Sequence, residues 1–180
     1  MVKVEIRWHG RGGQGAVTAA QVIAYAAISK GFYAQAFPEF GPERRGAPVK
    51  AYTRISDEPI RNREPIINPN YIVVLDPSLL RFSEILSGVS DDGYIIINSS
   101  IRPEINTKAR LVWLDATNLA LQVLGRPIVN TAMIGALLKV MTLLDVDYVF
   151  KALEHFFKGK ILEKNVELIK RAYDEVKVEA

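Results

Sequence analysis

The chain has 180 residues, 49% of them apolar and 24% charged, which is the balance of an ordinary soluble globular protein about one domain long. It contains no cysteine, so disulfides, cysteine-ligated zinc and iron–sulfur ligation by this chain are excluded. The net charge is +3, and residues 1–64 hold ten Lys and Arg against six Asp and Glu, seven of those cations being arginine. That surplus suits an anionic ligand or an acidic protein surface, the bland alternative being a solvated basic face. Nucleic acid is a poor fit, because there is no basic helix, lysine run or aromatic-plus-basic RNA-binding motif.

Val2, Val4, Ile6 and Trp8 alternate with charged residues at the period of a strand. The turn Gly10-Arg11-Gly12-Gly13-Gln14-Gly15 follows, and Ala16 to Ser29 then reads as an alanine-rich helix closed by Lys30-Gly31. Strand, glycine turn and helix in this order free the backbone for positive φ. They also leave the first N–H groups of the helix pointing outward, where an anion such as phosphate can bind. Gly10, Gly12 and Gly15 satisfy the dinucleotide spacing G-x-G-x-x-G. That fingerprint also demands an acid about 20 positions on, at the tip of the second strand. The second strand, Phe32 to Phe37, runs into Pro38 without one, and Glu39 lies beyond the proline. A phosphate-type anion site and a purely structural tight turn both remain open readings.

The segment from Pro38 to Pro48 holds three prolines and two glycines, which forces a surface loop. Its Glu43, Arg44 and Arg45 form either an anion clamp, since guanidinium matches carboxylate and phosphate bidentately, or a self-neutralising solvated loop. Ala47 to Ile55 reads as a strand. Tyr71 to Leu75, Tyr94 to Asn98 and Arg110 to Leu114 are apolar runs of central strands buried on both faces. Asp76-Pro77-Ser78 caps a short helix over Leu79 to Leu86, and Asp115 opens a helix, Ala116 to Leu124, that Gly125 stops. From there the chain reads as all helix: Asn130-Thr131 caps one running to Leu144, Asp147 to Phe157 makes another, and Lys160 to Lys177 the last.

The pattern predicts an α/β fold, a three-layer α/β/α arrangement with a mostly parallel sheet and a helical C-terminal part. Residues 1–125 are the expected sheet core and 126–180 the helical part of one domain. The longest apolar stretch, Ala132 to Leu144, is too short to span a bilayer and contains Lys139. No basic-then-apolar leader precedes the first strand, so a cytoplasmic location is expected. His9, beside the turn, is a candidate proton carrier, whereas His155, next to Phe156 and Phe157, reads as packing. There is no nucleophile elbow, Walker lysine or carboxylate pair with an obvious shared role. No catalytic set and no metal site emerge, as in a binding or assembly component of something larger.

Several stretches together carry a resemblance. They are His9 to Gly15, Phe40 to Pro48, Arg54 to Ile60, Leu75-Asp76-Pro77 and Asn130 to Ala136. In this order, over nearly the whole chain, they resemble the gamma subunit of 2-oxoacid:ferredoxin oxidoreductases, and the Arg-Arg-Gly-Ala-Pro loop is most similar to the pyruvate and 2-oxoisovalerate types. The resemblance implies a multi-subunit enzyme that oxidatively decarboxylates a 2-oxoacid, places the acyl group on coenzyme A and passes electrons to ferredoxin. It implies alpha, beta and delta-type partner subunits that hold thiamine diphosphate, magnesium and the iron–sulfur clusters. It further implies that Gly10, Arg11, Gly12, Gly13, Gln14 and Gly15, with Glu43, Arg44 and Arg45, touch coenzyme A, another anion or a neighbouring subunit. The alternative is a free-standing Rossmann-like nucleotide-binding module.

Overall fold

Strand β1 (Val2–Arg11) is the axis of the fold. It pairs antiparallel with β3 (Pro48–Ser56) on one side and parallel with β4 (Tyr71–Val74) on the other. The computed structural model describes residues 2–39 and 44–179. Within them β2 (Tyr33–Pro38), β5 (Tyr94–Asn98), β6 (Arg110–Leu114) and β7 (Lys177–Val178) complete one sheet in the order β2-β3-β1-β4-β5-β6-β7. The block β1-β4-β5-β6 is parallel, whereas the pairings β2 with β3, β3 with β1 and β6 with β7 are antiparallel. The sheet is therefore mixed, with its parallel part in the middle and at one side.

The five α-helices are α1 (Ala16–Ser29), α2 (Ala116–Leu124), α3 (Asn130–Val140), α4 (Val146–Leu153) and α5 (Gly159–Glu175). All five contribute to one core against one face of the sheet, where Val4, Ile6, Trp8, Val73, Ile96 and Val112 meet them. The alanines of α1 bring its backbone close to the strands. Trp8 Nε1 donates to Thr53 Oγ1 at 3.0 Å, and that hydroxyl donates to the Ala20 carbonyl, also at 3.0 Å. The other face buries Ile72, Val74, Ile95, Ile97 and Leu111 beneath two 3-10 helices, Pro77–Arg81 and Ser83–Leu86.

Those two short elements replace the single helix expected over Leu79 to Leu86. Asp76 caps the first through Ser78 N, as its sequence implies, but Phe82 is extended and breaks the run. The carbonyls of Ile85 and Ser87 turn inward instead, to accept Arg7 Nη2 at 3.1 and 2.6 Å. Helix α3 likewise stops at Val140 rather than Leu144. The Leu143 carbonyl accepts Lys30 Nζ at 2.7 Å, and Lys30 also pairs with Asp145. Asn130 lies within the first turn of α3, Val129 being its N-cap. Helix α4 ends at Leu153, and His155 packs on Tyr25 with ring centroids 4.6 Å apart. The C-terminal part is not all helix, because after α5 the chain returns to the sheet as β7, antiparallel to β6.

Two of the alternating charges of β1 and β3 do not face water. Arg7 and Arg54 are both buried. Arg7 donates to His9 Nε2 and to the carbonyls of Ile66, Ile67, Ile85 and Ser87. Arg54 binds Glu5 Oε1, Gln35 Oε1 and the carbonyls of Asn62 and Glu64. Two of the early arginines thus fasten the connection between β3 and β4 onto the sheet. They are not available to an external anion. No helix among the described residues is long and apolar enough to cross a membrane.

Helix α3 crosses α5 at Gly135, where an added Cβ would lie 2.6 Å from the Ile169 carbonyl oxygen and 2.8 Å from Ala172 Cβ. Gly135→Ala is expected to lower unfolding free energy by about 1–3 kcal/mol through overpacking. Urea unfolding at neutral pH measures it, and an unchanged midpoint would contradict the close crossing.

Candidate functional site

Positive φ at Gly13 (91°) and Gly15 (84°) bends the chain from β1 into α1, with Gly15 as a left-handed N-cap. Three amides of the turn are used internally. Arg11 N donates to Gln14 Oε1 at 2.6 Å, Gly12 N to the Ala47 carbonyl at 2.8 Å, and Gln14 N to the Arg11 carbonyl. The N–H groups of Gly13, Gly15, Ala16, Val17 and Thr18 meet no acceptor among the described residues, and α1 has no acid in its first turn. That is an anion-receptive helix start.

The structure brings the arginine loop onto this turn. Gly12 and Arg45 form a parallel bridge, and Gly46 N donates to the Gly12 carbonyl at 3.2 Å. A Cβ at Gly12 would stand 2.3 Å from the Arg44 carbonyl oxygen, so only glycine admits the contact. Between turn and loop lies a cavity of about 480 Å³ whose lining includes Gly13, Thr18, Glu39, Arg44, Arg45 and Lys50. Arg44 and Arg45 are exposed there, while Glu43 lies outside the described residues.

Arg11 and Gln14 act as brackets. Arg11 donates to the Gly46 carbonyl at 3.1 Å and to Ser78 Oγ at 2.9 Å, and it pairs with Asp76 at 3.3 Å. Gln14 Nε2 donates to Asp76 Oδ2 at 3.0 Å. Burial pushes the Asp76 pKa up, but hydrogen bonds from Ser78 and Gln14 and the charge of Arg11 outweigh it and hold the carboxyl below its ordinary value. These bonds close the crevice between the carboxyl ends of β1 and β4, where the sheet order reverses and open α/β sheets often bind ligands. The open cavity lies on the β3 side instead.

On the opposite side of the turn Gly15 rests against α3. A Cβ there would lie 2.5 Å from Asn130 Nδ2, which donates to the Gly15 carbonyl at 3.4 Å. Asn130 Oδ1 accepts Thr131 N, Thr131 Oγ1 donates to Asn165 Oδ1 at 2.7 Å, and Asn165 Nδ2 donates to the Ile161 carbonyl. All three side chains are buried. Asn130 therefore offers its oxygen to the start of α3 and its amide hydrogens to the start of α1.

His9 is not the proton carrier its position suggests. It is fully buried, and Nε2 accepts from Arg7 Nε at 2.9 Å. Burial, then the charges of Arg7 and Lys50, push its pKa down to about 3. The ring stays neutral throughout the physiological range.

Strand β2 sits at the sheet edge, antiparallel to β3, instead of beside β1. The tip where a dinucleotide's ribose acid belongs is therefore displaced from the turn. Glu39, just beyond β2, accepts the Tyr52 hydroxyl at 3.1 Å and approaches Lys50 at 3.7 Å. Burial and Glu39 push Tyr52 up to about 12. The glycine spacing here serves backbone contact and an open helix start, and the Rossmann reading loses its second strand.

The sequence model of the pyruvate ferredoxin/flavodoxin oxidoreductase family matches residues 5–175. The chain belongs to this family. It is 50% identical to pyruvate synthase subunit PorC of Methanothermobacter thermautotrophicus over 96% of both chains. It is 45% identical to the common gamma subunit of the pyruvate/ketoisovalerate oxidoreductases of Pyrococcus furiosus, over 97% of this chain and 98% of that one. The crystal structure of pyruvate oxidoreductase subunit PORC from Thermotoga maritima matches it with a TM-score of 0.90 and 38% identity, covering 100% of both chains. The gamma-subunit resemblance seen in the motifs holds along the whole chain.

Lys50 lines the cavity and Asn130 supports the turn, yet neither is among the candidate site residues, although Asn130 opens one of the stretches that carry the resemblance. Lys50 sits at an alternating strand position and looks solvated, and Asn130 looks like a cap. The available signal was the pairing of a crowded glycine with a distant polar residue, which only the fold makes visible.

Gly12→Ala is expected to push the 44–47 backbone off the turn. Gly13→Ala, whose Cβ meets nothing within 4 Å, carries only left-handed backbone strain of about 1–2 kcal/mol. Crystal structures and thermal unfolding of both variants separate the two effects. Acid sensitivity follows from His9, because the unfolded chain binds a proton near pH 6.5 that the folded chain refuses until about pH 3. Stability should fall by up to about 1.4 kcal/mol per pH unit between those limits. Asp76, held below its ordinary value, removes further stability when it protonates at the acid end of that window. Unfolding free energies at pH 7, 5.5 and 4.5 measure the slope, and His9→Gln should flatten it.

Proposed function

We propose that residues 1–180 work as a single gamma domain of a pyruvate or 2-oxoisovalerate:ferredoxin oxidoreductase, and that the cavity between glycine turn and arginine loop receives the anionic end of coenzyme A. The observation that carries this is the Gly12–Arg45 bridge. It sets two exposed guanidinium groups beside a helix start whose N–H groups lack acceptors among the described residues. Gly13, Gly15 and the first turn of α1 would hold phosphate oxygens, with Arg44, Arg45 and Lys50 balancing charge. Arg11 and Gln14 would act indirectly, by keeping the turn against Asp76.

Coenzyme A supplies the thiol that accepts the acyl group. Decarboxylation and electron transfer belong to partners of alpha, beta and delta type, with thiamine diphosphate, magnesium and iron–sulfur clusters. A chain without cysteine offers no thiolate for such a cluster. Ferredoxin would be the acceptor of the whole complex, in a cytoplasmic setting. Which of the two 2-oxoacids is used would follow from the subunit that holds thiamine.

Reconstitution tests the assignment. Omitting this chain should abolish CoA-dependent 2-oxoacid oxidation by the remaining subunits. In the assembled enzyme Arg44→Ala with Arg45→Ala should raise KM for coenzyme A about tenfold, the loss expected for one or two charge-assisted contacts. Tm should hardly move, because exposed loop charges contribute little stability. An unchanged KM together with weakened assembly would make the loop a subunit contact instead.

A further inference from the structure

The face of β1 opposite the helices carries a second cavity, of about 190 Å³, lined by His9, Val49, Leu79, Phe82 and Ile85 together with the charged residues Glu39, Lys50 and Glu84. Its chemistry is set by one hydrogen bond. Arg7 Nε donates to His9 Nε2, and an arginine has no lone pair to offer in return. Nε2 is therefore the unprotonated nitrogen, and the proton of the neutral ring sits on Nδ1. Nδ1 is buried and has no hydrogen-bond partner among the described residues. A buried N–H left unpaired is unfavourable, and folded proteins leave few of them.

The surroundings define what can accept that hydrogen bond. Lys50 is paired with Glu39 at 3.7 Å, and the other charges near His9, Arg7 and Glu84, are of opposite sign, so the site offers no net charge to hold an anion. The rest of the wall is aliphatic or aromatic. The occupant that matches is neutral, has a short aliphatic body and presents one carbonyl oxygen. Glu39, Val49 and Lys50 line this cavity and the glycine-turn cavity alike.

We propose that the His9 cavity is a subsite for a neutral amide-bearing aliphatic chain, whose carbonyl oxygen accepts the hydrogen bond of His9 Nδ1–H. Given coenzyme A in the neighbouring cavity, a reading on which this part of the assignment rests, the chain is its pantetheine arm. The phosphates stay with the turn and the arginines, and an amide of the arm reaches the histidine. His9 then acts as a binding residue for a neutral group and takes no part in proton transfer.

The test uses the assembled enzyme and pantetheine, which has the amides and lacks the phosphates. A crystal structure of the wild-type complex with pantetheine should place an amide oxygen within hydrogen-bond distance of His9 Nδ1. His9→Phe keeps the ring and removes the donor. It should weaken pantetheine binding about fivefold to tenfold and raise KM for coenzyme A by a similar factor, the loss expected for one buried hydrogen bond. His9→Phe also frees Arg7 Nε, and where the variant fails to assemble the wild-type crystal structure decides the matter. If the arginine pair raises KM for coenzyme A while pantetheine leaves only a water on Nδ1, the subsite is wrong and the phosphate site stands. If pantetheine seats its carbonyl on Nδ1 while the arginine pair has no effect on coenzyme A, the subsite stands and the phosphate site is wrong.

Discussion

The whole site depends on a backbone-to-backbone approach that leaves no space for one carbon atom. Gly12 meets the Arg44–Ala47 segment through main-chain hydrogen bonds in both directions, and a Cβ would overlap the Arg44 carbonyl. This contact ties the end of β1 to the entry of β3, two positions more than 30 residues apart in sequence. Arg11 extends the tie across the molecule to Asp76 after β4. The cavity exists because three chain segments are held at fixed spacing by atoms of the main chain and one guanidinium.

Charge is divided by role. Arg7 and Arg54 are buried and serve the connection between β3 and β4, each saturated largely by carbonyl oxygens. Carbonyl dipoles satisfy Arg7's directional donors without a carboxylate, Arg54 adds the Glu5 carboxylate to them, and both arginines fix irregular chain that has no ladder of its own. Arg44 and Arg45 remain exposed beside a helix start. A basic surplus in composition therefore overstates what an anion would meet, since part of it is internal scaffolding.

What the sequence made legible was local. Asp115 and Gly125 delimit α2 at both ends because capping is decided within a few residues, and the apolar runs of β4, β5 and β6 announce buried strands. The glycine turn and the start of α1 were equally readable. The rest was decided at a distance. Helix α3 ends at Val140, shortly before Lys30 takes the Leu143 carbonyl, the 77–86 segment breaks at Phe82, ahead of the two carbonyls that Arg7 claims, and β7 consists of two residues with no periodicity to detect. Alternation sets Arg7 and Arg54 opposite the apolar positions of their strands, and nothing local shows that carbonyls of residues 62–67 close over both guanidinium groups. In the site, the turn and the arginine loop were each visible, but their union through Gly12 and the supports from Lys50 and Asn130 required the fold.

The chain of buried amides and hydroxyl from Asn130 through Thr131 to Asn165 anchors Gly15 to α5. The loss of backbone freedom at the turn is thus settled when the domain folds. A molecule arriving at the start of α1 finds its donors already aimed, so the entropy of ordering that segment is not charged against the encounter. A long, flexible carrier, which must surrender its own rotational freedom on docking, gains most from a receptor that has none left to lose.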